Sequence, residues 1–515
     1  MIVAAVVAAA AQAQPGGRTM IVMSDLHMGN GRDASGAWDR HEDFRWAAEF
    51  TGFLKAIDRE GRSAVDLVMG GDTFDLLYGG DDCGGGNDTG CSEAEAIRRL
   101  DRVLTAHAAE VAAIKEFAQA GANRVAFVPG DADAALLFPG VRRRLLAAMA
   151  AGADRVTLGG EGFWLSGDGR VLVEHGHQVG FSAHRFDNWP LPFSRGTPVR
   201  LLRPWGEQLT SALYRRLEET FPIVDNVAVL GAGLKPALAA EPTASTATID
   251  PLLLKYLMLT TLSWQQFRME LDDGDVEPPV WNIEAVRSQR GAFLVAGVPE
   301  DDPIRPLATR ALADGALDAV AQGLSDEEIV TACDYRAAVR RARRRFEPVV
   351  SQFPPRGPAV TECPRTTETR GALFDYFWRS RDAMFSRHVD EMTRRLPRDA
   401  RPSVFVQGHT HLADRSQAGA NMISGGLLKI PMEGFSPIRG QLTPLVINAG
   451  AWQRTLTPVQ LDRLLTDRTL ASLQPDDLPA CYSFVEIPPY GDNPAPRVRY
   501  WRQDGDQWAA GASCR

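Results

Sequence analysis

At 515 residues the chain is longer than one ordinary core accommodates, so two structural units, or one domain carrying a large insertion, are expected. Hydrophobic residues at 44% and charged residues at 23% mark a globular chain. The net charge of -9 argues against nucleic acid as a required partner, because neutralising phosphates needs a basic face.

Residues 1–18 read as a signal peptide or as a disordered Ala-rich tail. The short apolar run ends in Ala11-Gln12-Ala13, a small-x-small pattern, yet it lacks the basic residue expected at the start of a leader. The first alternative places the protein in the periplasm or outside the cell, the second in the cytoplasm. No other run approaches the roughly 18 apolar residues of a transmembrane span.

Residues 19–180 alternate short β-rich runs with helical ones. "TMIVMSDLH", "AVDLVMGGDTFD", "RVAFVPGDAD" and "RVLVEHGHQ" each read as a buried strand ending in polar residues. Between them, "EDFRWAAEFTGFLKAIDRE" and "EAIRRLDRVLTAHAAEVAAIKEFAQAG" carry apolar residues at helical spacing. Residues 181–401 change character. "PLLLKYLMLTTLSWQQFRMEL" and "GALFDYFWRSRDAMFSRHVDEMTRRL" read as amphipathic helices between Pro- and Gly-rich connectors, with no β-rich run. In residues 402–515 the strand pattern returns with "PSVFVQGHTHLA", "PLVINAGAWQRT" and "CYSFVEI". The simplest architecture is one α/β core in two halves, interrupted by a helical cap.

Six cysteines suit an oxidising compartment. Sequential pairing, Cys83 with Cys91, Cys333 with Cys363 and Cys481 with Cys514, is preferred among the fifteen connectivities that six cysteines permit. None has the spacing of a zinc site.

The strand ends collect Asp25 and His27, Asp72 and Asp75, Asp131 and Asp133, His175 and His177, and His409 and His411. Carboxylates and imidazoles are what divalent transition metals take when no thiolate is offered. One Asp-x-His pair is weak; five clusters, each following a strand, are not readily accidental. In order, "SDLHMGN", "GGDTFD", the Pro-Gly turn at Gly130, "EHGHQ" and "GHTH" resemble the calcineurin-like metallophosphoesterases, and "VINAGAW" is similar to the strand that follows their last motif. The resemblance covers about half of the chain.

What the resemblance implies is a four-layer α-β-β-α sandwich with the helical insertion as a cap. It implies two divalent ions, of Mn, Fe or Zn. Asp25, His27 and His411 would hold the first, Asp131, His175 and His409 the second, and Asp72 would bridge them. The implied activity is hydrolysis of a phosphomonoester, phosphodiester or pyrophosphate by attack of a bridging hydroxide, on a phosphorylated small molecule or lipid.

The third motif departs from that pattern. Where the family has Gly-Asn-His followed by an acid, this chain has Gly130-Asp131-Ala132-Asp133. With two divalent ions, a hydroxide and the carboxylates of Asp25, Asp72 and Asp131, the site's charge falls from about +1 to about zero. Metal binding at least as tight as in the family pattern, and weaker attraction of phosphate dianions, are expected. Ala132 also removes the imidazole that serves the leaving group, and leaves Asp75 without the partner the family gives it. A substitute acid, His177 or His184, an impaired enzyme, or an inactive metal-bound module that binds phosphorylated ligands or partners are the open readings. Arg185 is either a phosphate contact or an ion-pair partner of Asp187. His41, His107 and His388 fall on helical stretches away from the strand ends and receive no role.

Overall fold

The computed structural model describes most of residues 17–227 and 445–514, residues 402–409 and 411, and shorter stretches between 233 and 429. Residues 1–16 and the stretches carrying Cys333 and Cys363 lie outside the described residues, so that cysteine pair and all but the last two residues of the 1–18 stretch do too; Arg18 itself is bonded into the fold, donating to Asp66 Oδ1 at 2.8 Å and to the carbonyls of Val65 and Ala122.

Two sheets carry the fold. The larger has seven strands: β1 (Thr19–Met23), β2 (Val65–Met69), β4 (Arg124–Phe127) and β5 (Val156–Leu158) run parallel, and β12 (Cys481–Ile487), β13 (Arg497–Asp504) and β14 (Gln507–Gly511) join antiparallel beyond β1. The smaller has five. Here β7 (Val171–Glu174), β9 (Val404–Gln407) and β11 (Leu445–Asn448) are parallel, flanked by antiparallel β6 (Phe163–Leu165) and β10 (Leu428–Lys429). A two-stranded piece pairs β3 (Thr89–Ser92) with β8 (Arg200–Leu202).

Alternation along the strands explains how the sheets stack. Side chains at successive strand positions face opposite ways. Met20 and Val22 of β1 join Val173, Val406 and Ile447 in one apolar core between the two sheets. Ile21 and Met23 face the other way, into a core shared with the helices α1 (Ala47–Glu60), α2 (Glu93–Ala106), α3 (Ala108–Gln119) and α4 (Pro139–Met149). Buried on both faces, β1 and β2 are nearly pure apolar runs, as parallel strands in α/β proteins require. On the outer face of the smaller sheet, Leu172, Phe405 and Val446 pack against Val389, Met392 and Leu396, whose stretch is helical over 391–395. The α/β class therefore holds.

Two expected helices are shorter than their patterns. The first begins only at Ala47, because Glu42 is spent on the backbone N–H groups of Gly29, Gly31 and Phe44. The second breaks at His107 into α2 and α3. Its ring is buried between Glu42 and Glu110, an arrangement a straight helix would not need.

In the stretch read as a cap, the described helical pieces include α5 (Arg215–Glu218), α6 (Arg290–Ala296) and α7 (Ile304–Ala313). Residues 251–271 lie outside the described residues. Described residues 184–202 are not helical: they carry β8, and Phe186 and Leu201 are buried in the main core. That strand is the β structure the sequence pattern did not reveal, since three residues are too few to display an alternation. Cys83–Cys91 and Cys481–Cys514 are disulfides. Among the described residues no helix is long and apolar enough to cross a membrane.

Candidate metal centre

Each candidate ligand sits just past the C-terminal end of a parallel strand, where the backbone leaves the sheet and its side chains can converge. Asp25 and His27 follow β1, Asp72 follows β2 and Asp131 follows β4, all from the larger sheet. His175 follows β7, and His409 and His411 follow β9, from the smaller one. The site straddles the seam between the sheets.

Backbone geometry singles these residues out. Asp25, His27, Asp72, His409 and His411 have φ between 48° and 68°, a left-handed conformation that costs non-glycine residues energy. Among the described non-glycine residues, only Arg62 and Ser63 share it. Strain of this kind persists where surrounding structure enforces it, and it concentrates at functional sites.

The enforcement is visible. Asp25, Leu26 and His27 donate their N–H groups to the carbonyls of Gly71 and Asp72, at 2.9–3.1 Å. His409 N donates to Asp25 Oδ2 at 3.0 Å, and Ala132 N donates to Asp72 Oδ1 at 2.8 Å. Each carboxylate thus has one oxygen tied to backbone and the other turned inward. From the "VINAGAW" strand, Trp452 N donates to Ser24 O at 2.8 Å and Asn448 Nδ2 to Gly408 O at 2.8 Å. Glycines permit the close approach. A Cβ on Gly130 would strike Asp72, and one on Gly408 would strike Ser24 and Asp25.

The inward atoms form two groups, each able to hold a metal ion: Asp25, His27 and His411, and Asp72, Asp131, His175 and His409. His175 Nε2 is 3.0 Å from Asp72 Oδ2 and from Asp131 Oδ1, and 3.8 Å from Asp25 Oδ1. His411 Nε2 lies 3.3 Å from Asp25 Oδ1, and His27 Nε2 lies 3.7 Å from Asp72 Oδ2. Asp72 Oδ2 therefore faces both groups.

A test of fit comes from the buried atoms. Asp25 Oδ1, His27 Nε2, Asp131 Oδ1 and His175 Nε2 are buried yet make no hydrogen bond of good geometry. Orphaned polar atoms this close together are costly, and a cation placed among them satisfies all at once. The mixed nitrogen and oxygen donor set suits divalent transition metals. Electrostatics point the same way. Burial alone would raise Asp25, but His175 and His411 hold it well below the ordinary carboxylate range. Burial likewise opposes ionisation of Asp131, and His409 and His184 override it. Burial works against charge on His175, but Asp72 and Asp25 lift it well above the ordinary imidazole value.

Asp133 does a different job. It accepts hydrogen bonds from Thr73 N at 2.9 Å and Phe74 N at 3.3 Å through Oδ2, and from Gly130 N at 2.6 Å through Oδ1. It locks the turns after β2 and β4 together. Burial, followed by the charge of Asp72, pushes it up to about 8.

His177 is fully buried, its ring edge-on to Trp189 at 4.4 Å and to Phe186 at 5.8 Å. Burial holds it well below the ordinary imidazole value, hence neutral. His184 instead reaches the site itself, with Nδ1 2.8 Å from Asp131 Oδ2. Asp75 is not without interactions, against the expectation drawn from Ala132. It lies near Asp43 and Glu218, which with Asp225 form a third close group of carboxylates. Burial and then Asp225 push both Asp43 and Glu218 well above the carboxylate range. Arg185 donates to the carbonyl of Gln178 at 3.0 Å.

The three histidines given no role are all paired. His41 lies 3.4 Å from Asp39, His107 lies between Glu42 and Glu110, and His388 Nε2 is 2.7 Å from Glu174 Oε1. Glu174 also accepts from Gln407 Nε2 at 3.1 Å, so a polar trio lies behind His175. A helical residue whose partner is 214 positions away leaves no local sequence signal. No family model, curated protein or solved structure matches the chain.

Proposed function

We propose that the protein is a binuclear-metal phosphoesterase of the calcineurin-like kind, hydrolysing a phosphomonoester, phosphodiester or pyrophosphate bond. The observation that carries this reading is the backbone strain: five of the seven candidate ligands hold left-handed φ values. A chain keeps that cost where the side chains must converge on something. The motif order along the chain supplies the reaction class.

In this reading Asp25, His27 and His411 hold one divalent ion, Asp131, His175 and His409 the other, and Asp72 serves both. Ions of Mn, Fe or Zn, when bound, lower the pKa of coordinated water and offset charge on phosphate oxygens. The chain's own part is to fix the ligands before substrate arrives. Asp25 and Asp72 are each clamped at one oxygen by a backbone N–H, which leaves the other for the site. His177 stands beside the second group, its ring edge-on to Trp189 and Phe186, and is the candidate acid together with His184. The disulfides suit a periplasmic or extracellular setting. A phosphorylated small molecule or lipid is the substrate class.

A second reading, an inactive metal-bound module that recognises phosphorylated ligands, is favoured by one observation. Ala132 is buried and offers the site only its N–H, already given to Asp72. Metal analysis of the purified protein, with turnover of p-nitrophenyl phosphate and bis-p-nitrophenyl phosphate in added Mn, tests both. Two bound ions with turnover support the enzyme; two ions without turnover, in the parent and in the double variant Asp131→Asn, Ala132→His, support the module. No bound ion overturns both. Calorimetry of Asp131→Asn checks the charge argument: the variant should bind metal no more tightly and phosphate more tightly than the parent, and unchanged affinities for both would remove the argument.

A further inference from the structure

The apolar layer on the outer face of the smaller sheet has a polar interruption. Leu172, Phe405 and Val446 meet Val389, Met392 and Leu396 there. β7 and β9 pair with Leu172 opposite Phe405 and Val173 opposite Val406, so Glu174 and Gln407 come next and share the outer face. Glu174 Oε1 accepts from Gln407 Nε2 at 3.1 Å and from His388 Nε2 at 2.7 Å. The amide of Gln407 can only donate, so Oε1 is an accepting oxygen and His388 Nε2 supplies the second proton. All three side chains are buried.

The trio stands one step from the ligands. Glu174 directly precedes His175, and Gln407 lies two residues before His409. The turns that follow are joined, since Gly408 N donates to His175 O at 2.8 Å. Gly176, with a φ of 109°, lies against Gln407 and His409. Two imidazoles of the second ligand group thus leave the sheet from residues whose side chains are tied to each other and to His388. That third member comes from the far end of the stretch that reads in sequence as a cap, 214 positions after Glu174.

We propose that His388 is a positioning residue for the second ligand group: its bond to Glu174 fixes where β7 and β9 release His175 and His409 toward the ion. The proposal rests on reading that group as a metal site. Apolar contact alone lets a helix shift on a sheet, whereas a hydrogen bond is directional and weakens steeply as its geometry degrades. Stability gives little reason for a polar trio here, because apolar residues of similar volume often serve a buried layer as well. Outer partners of metal ligands are worth about 10–100-fold in affinity, and His388, acting through a neighbour of the ligand, belongs at the lower end.

Calorimetric titration of the metal-stripped full chain with Mn²⁺, well below its melting temperature, tests this. His388→Leu keeps the apolar volume but loses the N–H; it weakens one of two binding events by about tenfold and leaves the other unchanged. His388→Gln, whose amide N–H can reach Glu174, binds as the parent does. The double replacement Glu174→Leu, His388→Leu leaves no carboxylate unpaired, so it folds even where the single variant does not, and shows the same loss. Parental affinity in His388→Leu or in the double variant, an equal loss of both ions, or a loss in His388→Gln as large as in His388→Leu overturns the proposal. If the parent binds two ions while His388→Leu matches it, only this proposal fails. A parent that binds none overturns the metal reading as well.

Discussion

At the scale of single residues, the ligands are held in conformations their own chemistry disfavours, and this cost can be measured. Left-handed backbone costs an L-residue roughly 1–2 kcal/mol relative to glycine. In metal-free protein, His27→Gly is therefore expected to be more stable than His27→Ala by about 1 kcal/mol, as read by denaturant unfolding. Equal stabilities would mean the φ of 51° costs nothing. A second expectation concerns close approach. Gly130→Ala drives a methyl into Asp72, and overpacking of this kind costs about 1–3 kcal/mol. A lowered melting temperature, with weakened metal binding, is the expected result. The sequence displayed the ligand types and their placement after strands, because both are local. It did not display that Asp133 is a turn clamp while Asp131 faces the cluster. Two carboxylates two positions apart look alike until the partners of each, Thr73 and Phe74 for Asp133 and His175 for Asp131, are known.

At the scale of elements, the junction between α2 and α3 is coupled to the first ligand loop. His107 sits against Glu42, and Glu42 accepts from Gly29 and Gly31, just beyond His27. Burial disfavours charge on His107, but Glu110 and Glu42 outweigh it and raise its pKa to about 9. A raised folded-state value means the protonated form is bound more tightly in the folded chain. The stabilisation is complete below the ordinary value of 6.5 and is lost as pH rises through about 9. Its size is on the order of 3 kcal/mol at most. Unfolding free energies measured between pH 6 and 10 should fall in the parent and fall less in His107→Gln; identical pH slopes would remove the argument. The helical period in this region was plain from sequence. The break at His107 was not, since the cause lies on Glu42, 65 residues earlier.

At the scale of the whole molecule, the site joins loops from both sheets, so ions bound there stabilise the fold as a unit. An ion present at 100 times its dissociation constant adds about 2.7 kcal/mol. Chelation should lower the melting temperature, and added Mn²⁺ should restore it; a melting temperature indifferent to both would argue against a site built in the folded state. The C-terminal disulfide acts on the same scale. Cys481 and Cys514 close a loop of 33 residues and tie the chain beyond β14 to β12. Cys514→Ser is expected to cost about 4 kcal/mol on the loop-entropy account. The α/β class and the two halves of the core were legible because strand runs and their polar ends repeat. The covering of the smaller sheet by residues 389–396 and the docking of residues 184–202 were not. Both are tertiary choices that amphipathic pattern leaves open.

The pairing of β1 with β12 sets an order of events for a chain made from its N-terminus. Val22 lies opposite Val485, and β7 lies beside β9 across more than 200 residues. Contacts this distant form late, because the loop between them must close first. Until β12 arrives, one edge of β1 has no partner strand, and an open apolar edge invites pairing with other chains. All seven candidate ligands, the last of them His409 and His411, are synthesised before β12. The nascent protein therefore passes through a stage in which every candidate ligand is present while β1 still lacks its β12 neighbour, the stage at which edge pairing with other chains competes with completion of the larger sheet.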